Sequence, residues 1–284
     1  MSYWKTGEAR RNKEMKDAFY EALNDVEDRY KKGSVEQCWS LLWLTDNKGS
    51  EAKKLDYHEA AHAIGSSAFV AIATIGGPLH AFFLAVCMKP HWLPELQEEI
   101  DRVCGDRLPV QEDMPNMPKL RATVKEIIRW RQSTPLGVPH SVLEDDVYEG
   151  YHIPKGAICH ANNYLISREP KQFPKGNEFV PERWVEPSYP TYKEPLSEFP
   201  HIRGDIAFGY GMRACPGVDL TNVELFTLFG ALAWSFNISP KGDIPRYEVN
   251  PYVITMTSPF PINITARSEE KKRFIMATED AGYW

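Results

Sequence analysis

The chain has 284 residues, and its 33 Lys and Arg against 39 Asp and Glu give a formal charge of −6. The hydrophobic fraction of 43% and the charged fraction of 25% exclude a disordered tail, a collagen and a small disulfide scaffold. The mildly acidic balance offers no basic surface for a nucleic acid. Five cysteines without a CxxC pair indicate a reducing compartment with unpaired thiols.

The first part of the chain is predicted to be helical. Residues 8–32 combine dense charge with apolar residues at helical spacing. Ala60–Met88 then runs for 29 residues without Asp, Glu, Lys or Arg, which is long enough for a membrane span. His62, Pro78 and His80 interrupt this run, and no basic cluster or aromatic belt flanks it. We therefore predict a buried helix of a soluble protein and no membrane anchor in this chain.

The second part is rich in proline and irregular. None of the 22 prolines falls in residues 1–77, whereas 15 lie between Pro90 and Pro200. An irregular stretch as long as 170–200 in a compact domain must pack around another part of the fold. The predicted elements are helices at Pro94–Val103, Asn116–Gln132 and Val218–Phe236, strand-like runs at Val147–Ile153 and Ala157–Ala161, and two short strands within Tyr252–Ala266.

Two motifs carry possible chemistry, and the first is an HExxH at residues 58–62. On a helix, His58 and His62 lie one turn apart with Glu59 beside them, which is the arrangement that a zinc protease needs. The longer form of the motif has a third histidine where this chain has Ala68. We favour two histidines near the start of a buried helix, and a zinc protease remains the weaker alternative.

The second motif surrounds Cys215, in the segment FGYGMRACPG of residues 208–217. A cysteine that opens a helix has its thiolate stabilised by free backbone N–H groups and by the helix dipole, so Cys215 can be an anionic iron ligand. Pro216 suits the first turn of that helix. Gly211 permits a tight turn, and Gly217 permits close approach of a flat cofactor.

This segment resembles the haem-binding signature FxxGxRxCxG of the cytochrome P450 family at all five fixed positions. The resemblance implies haem b with Cys215 as the axial ligand of its iron, and a thiolate there favours O–O cleavage. It also implies that Arg213 pairs with a haem propionate and that Phe208 shields the sulfur from water. Gly211 and Gly217 complete the implied cofactor-binding set.

Two further motifs of the family follow in the expected order. The ExxR motif is Glu126 to Arg129, and the PERF-like motif is Pro181–Trp184 with Trp184 in the usual Phe position. The resemblance implies that Glu126, Arg129 and Arg183 form a partly buried ion network. Their role would be structural, because the network pins the proline-rich stretch against the haem loop.

The resemblance also implies residues around the haem edge and the substrate. His140 stands where the family often places a second propionate partner, and an ordinary loop histidine is an equal alternative. Leu136, Gly137 and Val138 would line the substrate pocket, as would Phe260 with the two residues before it.

The distal-face helix departs from the family pattern. The family's (A/G)Gx(D/E)T corresponds here to Val70–Thr74, in which only Thr74 matches. Thr74 is the expected catalytic residue, holding oxygen or a water. Ala71 replaces the glycine and Ala73 replaces the acid, so protons would have to move through water or the substrate. Rearranging or dehydrating reactions that need no proton relay are therefore an open alternative.

The resemblance covers roughly residues 55–267 and a helical lead-in, which is the C-terminal half of the family's fold. We therefore expect a mainly α fold with small β-sheets of the cytochrome P450 type, lacking its N-terminal half. Residues 1–54 form the lead-in, and 55–284 form the haem-binding part. The VLEDDVYEGYHIPKGA stretch points to the eukaryotic, especially fungal, branch.

The leading functional hypothesis is a haem-thiolate monooxygenase that oxidises a lipophilic small molecule in secondary metabolism. NADPH–cytochrome P450 reductase would pass electrons from NADPH to the haem. The alternative is a truncated, inactive relative or an incomplete gene model. We expect a cytoplasmic chain as it stands, and the endoplasmic reticulum membrane if an N-terminal half with an anchor exists.

Overall fold

A computed structural model of the chain describes residues 3–46, 48–244 and 260–280. The described part is mainly helical with three small antiparallel sheets, β1–β4, β2–β3 and β5–β6, which confirms the predicted fold class. The α-helices are α1 (Tyr3–Lys31), α2 (Trp39–Thr45), α3 (Tyr57–Met88), α4 (Trp92–Cys104), α5 (Pro118–Trp130), α6 (Asn163–Ile166), α7 (Val218–Ser235) and α8 (Glu269–Asp280). The strands are β1 (His140–Ser141), β2 (Asp146–Tyr148), β3 (Tyr151–Ile153), β4 (Ile158–Cys159), β5 (Phe236–Pro240) and β6 (Ile262–Ala266). The chain forms two compact units, Met1–Ala73 and Thr74–Trp284, and the boundary lies inside α3.

The first unit contains α1, α2 and the beginning of α3. Leu23 of α1 is buried, and its neighbour Tyr20 forms a hydrogen bond of 2.8 Å between its hydroxyl and Nδ1 of His58. The Tyr57 hydroxyl donates to Oδ1 of Asn24 at 2.5 Å. These contacts hold the start of α3 against α1, so aromatic residues of the lead-in become part of a packed unit.

Gly65 is where α1 approaches α3 most tightly. A Cβ at this position would lie 2.3 Å from Cδ1 of Phe19, although Gly65 is inside a helix where alanine is preferred.

We expect Gly65→Ala to lower the free energy of unfolding by about 1–3 kcal/mol, because the Phe19 ring must leave its position. Chemical denaturation measures this change. Gly7 of α1 has no atom near its Cβ position, so Gly7→Ala is the control and should leave stability unchanged or slightly raised. Equal changes in the free energy of unfolding for the two substitutions would contradict the close packing of Gly65 against Phe19.

The long apolar helix α3 begins three residues earlier than predicted and ends at the predicted Met88. It is long and apolar enough to span a membrane by length and composition, and less than half of its most apolar window is buried. The prediction of a buried helix is correct for Ala81–Cys87 but wrong for Ser66–Val70, which are exposed. Hydropathy reports the cost of contact with water, whereas burial depends on what packs against the helix.

The core of the second unit lies between α4, α5, α7 and the last turns of α3. Phe82 stacks on Phe229 of α7 with ring centroids 4.5 Å apart. The Trp92 indole N–H donates to Oγ1 of Thr123 at 2.8 Å, which joins α4 to α5 inside the core. This packed helical layer carries the segments that lead to the candidate site.

Several elements differ from their predictions. The run Val147–Ile153 is a hairpin of β2 and β3, because Glu149 and Gly150 both have positive φ and form a two-residue turn. Asn116–Gln132 is helical only from Pro118 to Trp130. Helices α2 and α8 and strand β5 were not predicted, whereas the strands predicted in Tyr252–Ala266 fall outside the described residues except for β6.

Candidate functional site

The segment around Cys215 is an exposed loop between a short 3₁₀ turn and helix α7. Gly209 and Gly211 have φ of +74° and +62°, so the loop uses conformations that favour glycine. The backbone N–H of Cys215 donates to the Phe208 carbonyl at 2.7 Å, which closes the loop. Phe208 is half-buried against the helical core, whereas the Cys215 thiol is exposed. The loop is therefore anchored at Phe208 and presents the sulfur outward.

The sequence predicted that Cys215 opens a helix, but in the structure Cys215 precedes the helix. Helix α7 begins at Val218, and Gly217 is its N-cap. The N–H of Gly217 donates to Sγ of Cys215 at 3.4 Å, and a Cβ on Gly217 would be 3.6 Å from the same sulfur. The sulfur is thus two residues before the N-cap, and it still receives a backbone N–H from the cap residue.

The side chains beside the thiol are also exposed. Met212 is 97% exposed and Tyr210 is 59% exposed, which is unusual for large apolar groups next to a closed turn. Partial burial and the neighbouring Asp205 raise the pKa of the Tyr210 hydroxyl. Arg213 is exposed, and no carboxylate among the described residues pairs with it. The loop therefore gathers a thiol, a guanidinium and apolar groups on one open surface.

Glu126 is at the centre of a buried ion network. Its carboxylate accepts two hydrogen bonds from Arg129, at 2.8 and 2.7 Å, and two from Nε of Arg183, at 3.1 and 3.2 Å. The N–H of Val180 and the indole N–H of Trp184 donate to the same carboxylate at 2.8 and 2.9 Å. The structure thus brings together all three residues of the predicted structural set.

The two arginines hold the proline-rich segment through its backbone. Arg129 donates to the carbonyls of Ser167, Gly176 and Glu178, at 2.8, 2.8 and 3.0 Å. Arg183 donates to the Pro174 carbonyl at 3.0 Å. A segment without regular structure must still satisfy its buried carbonyls, and these guanidinium groups supply the donors. The irregular stretch therefore packs around the buried ion network.

The Trp184 and Lys89 contacts were missed at the level of sequence. The indole bond from Trp184 to Glu126 needs the 3₁₀ turn Pro181–Trp184 to fold back on α5. Lys89, at the end of α3, pairs with Glu182 of the same turn. The only sequence signal for either contact is the PERW motif itself. The motif does not indicate that Trp184 contacts Glu126 or that Glu182 contacts Lys89.

Thr74 and the predicted pocket residues lie in neighbouring segments. The Thr74 carbonyl accepts a hydrogen bond of 3.0 Å from the Ser133 hydroxyl, just before Leu136 to Val138. Gly137 has φ of +67°, and a Cβ there would be 3.3 Å from the Ala161 carbonyl oxygen. Leu136 is half-buried and Val138 is 66% exposed. This loop therefore keeps a compact, glycine-dependent turn beside the Thr74 segment.

His140 and Phe260 have different surroundings. His140 is exposed in strand β1, where it pairs through the backbone register with Cys159 of β4. Phe260 is half-buried against the helical core, and the two residues before it lie outside the described part. The structure does not bring the His140 side chain into contact with the Cys215 loop.

The HExxH residues take part in the start of α3. Glu59 accepts from the N–H of Asp56 at 3.0 Å, and Asp56 accepts from the N–H of Glu59 at 2.8 Å, so the two form a capping pair. Nδ1 of His58 is bonded to Tyr20, and Nδ1 of His62 is bonded to the His58 carbonyl at 2.9 Å. Within the described residues, no group of three or more His, Cys, Asp or Glu could hold a metal ion. This geometry gives the motif a structural role.

A sequence model of the family described as Cytochrome P450 matches residues 3–264 of the chain. The chain belongs to the cytochrome P450 family. The cytochrome P450 monooxygenase psoD of Aspergillus fumigatus is 38% identical over 215 residues, which are 75% of this chain and 41% of that protein. The monooxygenase peniB of Penicillium patulum is 35% identical over 264 residues, which are 89% and 46% of the two chains.

Solved structures of cytochromes P450 also resemble the chain. A zebra fish cytochrome P450 with abiraterone has a TM-score of 0.67 and 25% identity, covering 81% of this chain and 53% of that one.

A third relative matched by sequence, the monooxygenase COX2 of Coprinopsis cinerea, is 37% identical over 287 residues, covering 94% of this chain and 53% of that protein. The chain therefore spans about half the length of the curated relatives that it matches.

Membership of the cytochrome P450 family implies a haem-iron cofactor, and the Cys215 loop fits one. A thiolate is a suitable iron ligand, and the exposed Arg213 matches a carboxylate such as a propionate. The bare Cα of Gly217 lies close to the sulfur, so the backbone there can face a flat ring without a side chain in between.

Gly211 and Gly217 can be tested against each other because their constraints differ. Gly211 has a positive φ and open space around its Cβ position, so we expect Gly211→Ala to lower the free energy of unfolding by about 1 kcal/mol through backbone strain alone. Gly217 has a φ of −84° and an ordinary contact with Sγ. Gly217→Ala should therefore keep the stability of the haem-free chain and weaken haem uptake. Thermal unfolding and haem titration measure the two effects, and an unchanged haem affinity of Gly217→Ala would contradict the assigned role.

Proposed function

We propose that the chain is the haem-binding part of a haem-thiolate monooxygenase that oxidises a lipophilic small molecule in secondary metabolism. The single observation that supports this most is the Cys215 loop, which presents an exposed sulfur and, two residues away, an exposed guanidinium with no carboxylate partner among the described residues. The family match over residues 3–264 supports the same function. The named relatives are fungal monooxygenases, which supports a small-molecule substrate.

The proposal gives each residue of the Cys215 loop a role. Cys215 ligates the iron of haem b, and Arg213 pairs with a propionate. Gly211 shapes the turn, Gly217 leaves room for the ring, and the half-buried Phe208 keeps water from the sulfur. When bound, the haem supplies the redox chemistry of oxygen activation. His140 is a second propionate partner in this proposal.

The substrate side of the proposal involves the segment that leads into the second unit. The Thr74 hydroxyl holds a water or oxygen near the substrate, and Leu136, Gly137, Val138 and Phe260 line the pocket. Because Ala73 stands where the family has an acid, the protons reach this place through water. Electrons come from NADPH through NADPH–cytochrome P450 reductase, which is the proposed protein partner. The proposed location is the cytoplasm for this chain and the endoplasmic reticulum membrane for a longer protein that carries an anchor.

A turnover assay tests this function. The purified chain is loaded with haem, mixed with reductase and NADPH, and screened with lipophilic small molecules for substrate-dependent NADPH consumption. Product formation that is lost in Thr74→Ala but kept in Ser133→Ala would support the assigned roles. Haem uptake without product from any substrate would instead support the second candidate, an inactive haem-binding relative. The observation that favours this second candidate is Ala73, which stands where the family has an acid.

A further inference from the structure

A cavity in the second unit is lined by none of the residues proposed to hold haem or substrate. It has a volume of about 270 Å³ and lies between α5, the Pro181–Trp184 turn and the segment from Phe199 to Ile206. At about 30 Å³ for each water molecule, it has room for a small molecule with some of its hydration. We call it the Lys125 cavity.

The charged groups that line the Lys125 cavity are mostly basic. Lys125 is half-buried, and its ammonium donates to the His201 carbonyl at 2.6 Å and lies 4.7 Å from the centre of the Trp184 ring. No carboxylate among the described residues forms an ion pair with it. Arg129, Lys193 and Arg203 also line the cavity. Arg129 pairs with Glu126 and Arg203 pairs with Asp219, whereas no carboxylate among the described residues forms an ion pair with Lys193.

Among the described residues, Asp205 is the one acidic residue that lines the cavity, and it compensates these cations weakly. Its Oδ1 accepts the Ala207 N–H at 3.0 Å, which caps the turn that leads to Phe208. Burial raises the pKa of the Asp205 carboxyl, and burial lowers the pKa of the Lys125 ammonium. Both shifts have the direction expected when charge is poorly compensated in a partly enclosed space.

His201 adds an unused polar atom to the same wall. Its Nδ1 is buried and has no hydrogen-bond partner among the described residues. Burial and the neighbouring Lys125 lower the pKa of the imidazole, which favours its neutral form. A neutral imidazole can carry its proton on Nδ1 and donate it to an anion. The cavity therefore combines spare cationic charge with a spare donor.

We propose that the Lys125 cavity binds a small oxyanion, such as a phosphate or a carboxylate. Lys125 supplies the inner charge, Lys193 supplies the charge at the mouth, and His201 supplies a neutral donor. An anion would relieve the uncompensated charge of Lys125, and charge-assisted hydrogen bonds of this kind are stronger than those between neutral groups. In the proposed function the haem propionates pair with Arg213, which does not line this cavity.

Calorimetric titration of the 284-residue chain with inorganic phosphate tests this site. Chloride is exchanged for phosphate at constant ionic strength, and acetate is the parallel carboxylate probe. We expect saturable binding of at least one probe, and the stronger one identifies the source of the oxyanion. Lys125→Met keeps the side-chain length and should weaken binding about tenfold or more. Lys193→Gln is exposed and should weaken binding about threefold without affecting the fold.

The matched control is Lys155→Gln, which removes an exposed lysine from the loop between β3 and β4. It should bind the probe like the wild-type chain. If Lys125→Met does not fold by circular dichroism, Lys193→Gln decides the outcome. Absence of saturable binding with both probes would overturn the proposal. An equal loss in Lys155→Gln and Lys193→Gln would overturn it as well, because it would indicate general charge screening.

Discussion

Cys215→Ser is expected to abolish tight haem binding and leave the chain folded. Serine has nearly the same shape, and the Cys215 side chain is exposed, so the loop keeps its closing bond to the Phe208 carbonyl. A neutral hydroxyl cannot replace an anionic sulfur as the iron ligand. We expect the iron-to-protein ratio after gel filtration to fall to background, with an unfolding transition of the haem-free chain that is unchanged.

Cys159→Ser is the matched control for this experiment. Cys159 is the other exposed free cysteine of the described residues, and it lies in the β1–β4 sheet. Its substitution should leave the iron content at the wild-type level. Iron loss in both variants would indicate a nonspecific thiol effect, and iron retention in Cys215→Ser would refute the assigned ligand.

Glu126→Gln is expected to be the most destabilising conservative substitution in the chain. The change keeps the volume but removes the carboxylate that Arg129 and Arg183 share, and these two residues are 1% and 0% exposed. Two guanidinium groups would then remain buried without a counter-charge. Breaking a buried ion pair in this way costs about 3–5 kcal/mol in the free energy of unfolding. Urea denaturation measures this change.

The proline-rich segment gives a second readout for the same variant. Because Arg129 and Arg183 hold the carbonyls of Pro174, Gly176 and Glu178, the weakened network should expose this segment to proteolysis. Glu178→Gln is the control, since its side chain is exposed, and it should change stability by less than about 0.5 kcal/mol. A Glu126→Gln chain with wild-type stability and cleavage rate would disprove the pinning role.

The buried network could be anticipated from sequence only in part. Glu126 and Arg129 are three residues apart on a helix, so their contact follows from helical geometry. The contact with Arg183 was inferred from a family motif, because it joins positions that are 57 residues apart. The bonds from Val180 and Trp184 depend on how the 3₁₀ turn folds onto α5, which no local pattern specifies.

The exposure of helix α3 and the start of α7 show two other limits of prediction from sequence. The apolar run from Ala60 to Met88 predicts a helix, but it does not predict that Phe69 and Ile72 are exposed while Phe82 is buried. Burial is a property of the neighbours as well as of the sequence. At α7, Pro216 fits the first turn of a helix, and the structure instead uses Gly217 as the N-cap.

The spectrum of the reduced protein with carbon monoxide shows whether Cys215 ligates haem iron as a thiolate. We expect the red-shifted Soret band that thiolate ligation produces, with an amplitude proportional to the bound iron. A Soret band at the position typical of histidine ligation, or no haem uptake by the wild-type chain, would contradict it.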